Sequence, residues 1–281
     1  MTFPVFLAVL AAAALHAGWN ALIKIRLDPF VGMTFICVMC ALIALPALLV
    51  TGLPNAVAWP WIAASVTIHL GYYVFLAEAY RRADMGQVYP IARGSAPLIT
   101  ALVSVLVVHD PMSVGNVLGI ALLAIGVLLI SLRGHRQLMP SNHIAVSCAL
   151  LTAVMIAAYS LIDGIGARAS GNANAYAAAL FTLDALPILT LCVLWKGVAE
   201  MKPGLRFLPQ AFAGGAMSVM AYSIAIWAMT VAPIALVAAI RETSVLFGAL
   251  FAAIFLKEPL TQTRAFSAAL VLLGLLCMRL F

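Results

Sequence analysis

The chain has 281 residues, of which 65% are hydrophobic and 9% charged, with a formal net charge of +6. A soluble domain is roughly 45–50% apolar and about 25% charged, so a water-facing globule is excluded and lipid is the expected solvent. The basic residues stand as short clusters between apolar stretches, the pattern of loop anchors, which argues for the bilayer as a partner and against nucleic acid.

A helix needs about 20 apolar residues to cross the hydrocarbon core. Taken in chain order, stretches bounded by Pro, Gly and charge predict ten spans, at 3–25, 30–51, 58–80, 87–108, 112–132, 143–165, 173–195, 208–229, 234–256 and 262–280. The first starts MTFPVF, without a basic leader, and runs on into Trp19, Asn20 and Lys24. That predicts a retained helix, not a cleaved signal. The connections are too short for a soluble domain. The longest polar stretch, Arg133 to Asn142, falls at the centre of the chain. The cysteines Cys37, Cys40, Cys148, Cys192 and Cys277 all lie in apolar stretches without metal-ligand spacing, so they read as small buried hydrophobes.

The central linker prompts a search for a repeat. A shift of 148 places Arg93 on Arg241, Leu98 on Leu246, Ala101 on Ala249, Asp110 on Glu258, Pro111 on Pro259 and Gly126 on Gly274. A shift of 141 places Pro46 on Pro187. The inferred organisation is a first five-helix unit (1–132), a basic linker (133–142) and a second unit (143–281). Five is odd, so the second copy enters the membrane from the opposite side, the inverted-repeat plan of many secondary transporters. The fold class is therefore all-α and polytopic, with ten transmembrane helices in two inverted repeats.

Charge agrees with that plan. Lys24, Arg26, Arg81, Arg82, Arg133, Arg136, Lys196, Lys202, Arg206, Lys257 and Arg264 fall in alternate loops on one side, whereas Arg168 and Arg279 fall on the other. Arg93 and Arg241 lie within spans. The positive-inside rule then puts the basic loops in the cytoplasm and both termini outside, in a bacterial-type inner membrane.

LHAGWNALIK (15–24), VYPIARGSAPL (88–98), GIALLAIGVLLIS (119–131) and FLKEPL (255–260), with ten helices and the repeat, resemble the ten-helix EamA-type branch of the drug/metabolite transporter superfamily over nearly the whole chain. The resemblance implies a basket of helices around a central cavity and export of small metabolites, amino-acid exporters being a well-known subgroup. Small four-helix relatives carry a proton-binding Glu eight residues before a Lys. Here that position, eight before Lys24, is His16, so their cation/proton antiport is not carried over. Several ten-helix relatives also keep both termini in the cytoplasm, whereas the charges here point outside.

An ionisable group at mid-bilayer costs roughly 2.5–3.5 kcal/mol, so each marks a cavity, a partner or a pathway. On the first span His16, Trp19, Asn20 and Lys24 share a face. His16 either exchanges protons or hydrogen-bonds a neighbouring helix. On the third, His69, Tyr72 and Tyr73 either line a cavity or pack helices. On the fourth, Tyr89 and Arg93 share a face. The guanidinium either clamps a substrate carboxylate or pairs internally, with Glu78 or Asp84 in reach. Its repeat mate Arg241 is followed by Glu242, which points roughly 100° away. Asp184 is the deepest carboxylate: either it is a coupling proton site, with Glu242 as a second candidate, or a permanent partner of His16, His69 or an Arg. Asp163 lies near the end of the sixth span. Tyr159, Tyr222 and Trp227 read as cavity walls. Gly115, Gly119 and Gly126 form a small-residue face that packs the fifth span on the tenth within one monomer.

There is no phosphate loop, metal-ligand cluster or catalytic triad, so neither an enzyme nor a cofactor is expected. Transport is then facilitated or ion-coupled. The expected function is export of small polar metabolites, amino acids foremost (including aromatic or hydrophobic ones), by alternating access. The alternatives are a flippase or transporter of lipid-linked sugars or other small solutes, and a packed, non-transporting scaffold.

Overall fold

The computed structural model describes residues 1–22, 28–83, 85–132, 142–255 and 262–280. The linker expected at 133–142 lies outside the described residues except for Asn142, as do Lys24, Asp84 and Glu258.

Lipid offers backbone N–H and C=O groups no partners, so a spanning chain satisfies them within helices. The described residues obey this. Helices α1 (Phe3–Leu22), α2 (Pro29–Thr51), α3 (Trp59–Arg82), α4 (Met85–Val103) and α5 (Val114–Leu132) form the first half. The second half comprises α6 (His143–Ser170), α7 (Ala173–Lys196), α8 (Leu208–Val231), a broken ninth helix of α9a (Ile234–Arg241) and α9b (Ser244–Phe255), and α10 (Gln262–Leu280). Among the described residues eight stretches are long and apolar enough to cross a membrane, and Val114–Leu129 and Ala265–Leu280 are shorter apolar helices. Three helix starts are capped as their side chains dictate. Asp28 accepts from the N–H groups of Phe30 and Val31, Asn142 from Ile144 and Ala145, and Asn172 from Asn174 and Ala175.

The pairing of helices follows the repeat. α5 packs on α10 and α2 on α7, each helix against its own repeat mate. α1 packs on α8 and α3 on α6, α4 on α6 and α9b on α1, α2 on α8 and α3 on α7. Exchanging the halves turns each pairing into another on that list. Between helices lipid supplies no hydrophobic drive, so close approach of small residues does the work. Ala149, Ala153 and Ala157 of α6 and Ala225 and Ala228 of α8 are all at most 1% exposed. On the α5–α10 seam, a Cβ at Gly119 would sit 2.7 Å from the Gly274 carbonyl oxygen, and one at Gly274 would sit 2.6 Å from that of Gly119. The small-residue face thus packs the fifth helix on the tenth, as its spacing implies.

Two spans depart from the continuous helices expected. α4 ends at Val103, continues as a wide turn over Ser104–Val108, and is closed by His109 in the left-handed region at φ 56°. The ninth span breaks at Arg241–Ser244. There the N–H groups of Glu242, Thr243, Val245 and Leu246 bond to carbonyls three residues back, of Ala239, Ile240, Glu242 and Thr243. The Thr243 hydroxyl also takes the Ile240 carbonyl. Such tightening within a helix often marks a functional hinge or local strain.

Candidate functional site

A cavity of about 80 Å³ lies between the halves. It is lined by His16 and Trp19 of α1, His69, Tyr72 and Tyr73 of α3, Arg93 of α4, Tyr159 of α6, Asp184 of α7, Tyr222 of α8 and Arg241 of α9a. A water needs about 10–15 Å³ on this scale, so the space holds roughly five to eight waters, the bulk of a small amino acid. Cys37 and Cys40 of α2, Phe181 of α7 and Ser218 of α8 also line the wall. The two cysteines are buried, as expected of apolar residues, but their three-residue spacing on α2 also turns both to the cavity. That spacing was the one signal available for them.

One end of the cavity is cationic. Arg93 Nε lies 2.8 Å from Glu242 Oε2, with both side chains at most 5% exposed. The Arg93 Nη2 atom also reaches Ser244 Oγ at 3.4 Å and lies 3.1 Å from His16 Nε2. The Trp19 indole N–H donates to His16 Nδ1 at 3.1 Å. A neutral imidazole accepts at one nitrogen only and an imidazolium at none, so Trp19 and Arg93 compete for the ring. Arg93 thus has an internal ion pair, and it is with Glu242 and not with Glu78. Glu78 is held by Arg81 and Arg82 of its own helix, and Asp84 lies outside the described residues.

Arg241 is different. It is 8% exposed, and its guanidinium sits 4.6 Å from the centroid of the Tyr222 ring. Among the described residues no carboxylate lies within ion-pair distance of it. The break after α9a, at the same point of the chain, turns Arg241 to the cavity and sends Glu242 to Arg93.

The other end is acidic and aromatic. Asp184 Oδ2 accepts from the Tyr73 hydroxyl at 2.8 Å, and Asp184 Oδ1 faces His69 Nδ1 at 3.5 Å. Neither of these last two atoms has a hydrogen-bond partner. The Cys37 thiol donates to the Tyr73 oxygen at 3.3 Å. The rings of His69 and Tyr159 stand 4.4 Å apart, and those of Tyr72 and Tyr159 5.8 Å apart. Behind this wall Asp163 is fully buried. It accepts from Tyr176 at 3.0 Å and from Tyr222 at 2.5 Å.

Three expected residues do not line the cavity. Trp227 is 39% exposed, because it follows Tyr222 by five residues and so points about 140° away on α8. Asn20 donates to the His16 carbonyl of its own helix at 2.8 Å. Glu242 is buried against Arg93. The side chain of Tyr89 lies outside the described residues.

Charged groups at the two ends of the bundle match the alternation of the loops. Asp28, Arg81 and Lys196 meet around one pocket, with Lys196 Nζ 2.7 Å from Asp28 Oδ2. At the opposite end Arg168 donates to Asp110 Oδ1 at 2.7 Å and to the carbonyls of Met229 and Ala232. The Asp110 carboxylate also accepts from the Ile234 N–H at 2.8 Å and from the Ser104 hydroxyl at 3.2 Å. Arg279 lies over the ring of Phe3 at 5.6 Å, so the first and last helices begin and end on one face.

Ten apolar helices around a buried polar cavity define a multi-pass membrane protein. The chain belongs to the EamA-like transporter family, whose sequence pattern matches residues 3–132 and again 143–280. It is thus a membrane transporter of small solutes. A crystal structure is similar over 99% of this chain and 96% of that one, with a TM-score of 0.79 and 17% identity, which shows the shared fold. None of the curated proteins compared with it matches significantly.

Proposed function

We propose that this protein exports small polar metabolites, amino acids foremost, across an inner membrane by alternating access of its two halves. The observation that carries this reading is Arg241. A buried guanidinium without a carboxylate costs several kcal/mol, and a substrate carboxylate arriving in the cavity would satisfy it with charge-assisted hydrogen bonds. Across the same cavity, Asp184 suits a substrate ammonium. Its Oδ1 atom, which faces His69 Nδ1 at 3.5 Å, also makes it the candidate coupling site, since a proton and an ammonium would compete for one carboxylate. Glu242 could serve only after leaving Arg93. The volume favours small side chains over aromatic ones, and a solvent-sized cavity is not what a packed scaffold presents. The basic loops face the cytoplasm, both termini lie outside, and the working unit is a monomer.

Counterflow of labelled amino acids in proteoliposomes tests this. We expect saturable exchange of small zwitterions. Arg241→Ala should raise KM by about tenfold or more, the scale of one lost charge-assisted contact. No saturable flux over a broad amino-acid panel would sink the substrate assignment. Arg93→Ala should act on the fold instead. It leaves Glu242 buried and uncompensated, a loss of about 3–5 kcal/mol, read as a lower melting temperature in detergent. Glu242→Gln in that background should recover much of it.

A further inference from the structure

Arg241 and Asp163 are a buried cation and a buried carboxylate beside one cavity, yet they do not pair. In a medium of low dielectric such charges attract strongly, so their separation requires a device. One side chain touches both. The Tyr222 hydroxyl donates to Asp163 Oδ2 at 2.5 Å, while the face of the same ring carries the Arg241 guanidinium 4.6 Å from its centroid. Tyr176 donates to the other carboxylate oxygen at 3.0 Å. Each oxygen of Asp163 is therefore taken by a phenol. Arg241 is held instead by the ring's negative face, a cation–π contact that gains strength away from water.

We infer that Tyr222 is a spacer, and Asp163 its anchor, that together keep Arg241 from collapsing into an internal ion pair and so leave it available to an anionic group in the cavity. This rests on the reading of Arg241 as the carboxylate receptor. Tyr222 and Asp163 are positioning residues on this view: they act on substrate through Arg241. The arrangement also explains the contrast between the repeat mates. Arg93 has no such spacer toward Glu242, and the two pair at 2.8 Å.

The test uses Tyr222→Phe, which keeps the ring but releases Asp163 Oδ2, and the double variant Tyr222→Phe/Asp163→Asn, which also removes the carboxylate that would capture Arg241. Two readouts are taken on purified protein. The first is KM for counterflow of a small zwitterionic amino acid. The second is the rate at which phenylglyoxal modifies Arg241, mapped by mass spectrometry with the paired Arg93 as internal reference. Melting temperatures confirm that each variant is folded. Tyr222→Phe should raise KM about tenfold and slow modification of Arg241 several-fold. The double variant should return both close to wild type. A role in packing alone predicts the reverse, with the double variant worse than the single one, and that result overturns the proposal. So does unchanged Arg241 reactivity in Tyr222→Phe. If the wild type exchanges no zwitterion, the modification rates still decide the spacer, and only the transport reading falls.

Discussion

Asp28 performs two tasks with one carboxylate. One oxygen caps α2 by accepting from Phe30 and Val31, and the other receives Lys196 from the end of α7. Partial burial works against its charged form, but the Lys196 ammonium and the two backbone N–H groups outweigh that and hold the carboxyl below its usual range. A folded value below the unfolded one stabilises the protein fully above about pH 3.9 and is lost as pH falls through the lowered value. Asp28→Ala should therefore cost about 1 kcal/mol at neutral pH, the usual value of a cap. Asp28→Asn keeps a capping oxygen and loses only a half-exposed ion pair, worth about 0–1 kcal/mol. It should also flatten the acid limb of a melting-temperature profile. Equal melting temperatures for the two variants at neutral pH would show that the cap contributes nothing. The Asp28 cap is a local event, made within three residues of its carboxylate. The partner of Arg93 is not. Glu78 and Asp84 lie 15 and 9 positions away, whereas Glu242 is 149 away and reaches Arg93 only because α4 packs on α9a.

Among elements, the spans were legible because lipid forces every stretch of sufficient apolar length into a helix. The α5–α10 seam was legible because glycine at helical spacing has few other uses in a membrane. The break in the ninth span was not. Arg241, Glu242, Thr243 and Ser244 include neither Pro nor Gly, and the break shows only in the hydrogen bonds, where the Thr243 hydroxyl takes the Ile240 carbonyl. The seam yields a contrast between glycines. A Cβ at Gly119 would meet Met278 Cγ at 2.6 Å and a backbone oxygen at 2.7 Å, whereas one at Gly248 in α9b meets nothing within 4 Å. Backbone cannot yield as a flexible side chain can, so Gly119→Ala should destabilise by about 1–3 kcal/mol. Gly248→Ala should be neutral or stabilising by up to about 1 kcal/mol, since alanine is the better helix former. Thermal denaturation in one detergent compares the two directly. Comparable losses at both positions would mean that the seam is looser than its backbone distances imply.

At the scale of the whole molecule, a repeat that pairs helices symmetrically provides two similar ways to close the cavity, one toward each face. The repeat could be read from the shift of 148, but which face is closed depends on contacts that no shift reveals. On the face bearing Phe3 and Arg279, the Asp110–Arg168 cluster ties the α4–α5 connection to the end of α6 and to the α8–α9a turn. Five hydrogen bonds from Arg168 and the Ile234 N–H converge there. The proposed alternating-access cycle would require that cluster to open. Cys37 and Cys40 line the cavity and serve as native reporters once Cys148, Cys192 and Cys277 are replaced by alanine. In that background Asp110→Asn removes the charge opposite Arg168 while keeping an acceptor. It should raise labelling of Cys37 and Cys40 by a membrane-impermeant thiol reagent applied from the face bearing the termini, and lower it from the basic face. A saturating zwitterionic substrate should suppress the labelling. The two changes must be opposite in sign, because one cavity cannot be more open to both faces in an alternating cycle. Increased labelling from both faces would indicate a loosened bundle, and no change from either would show that the cluster stabilises the fold without gating the cavity.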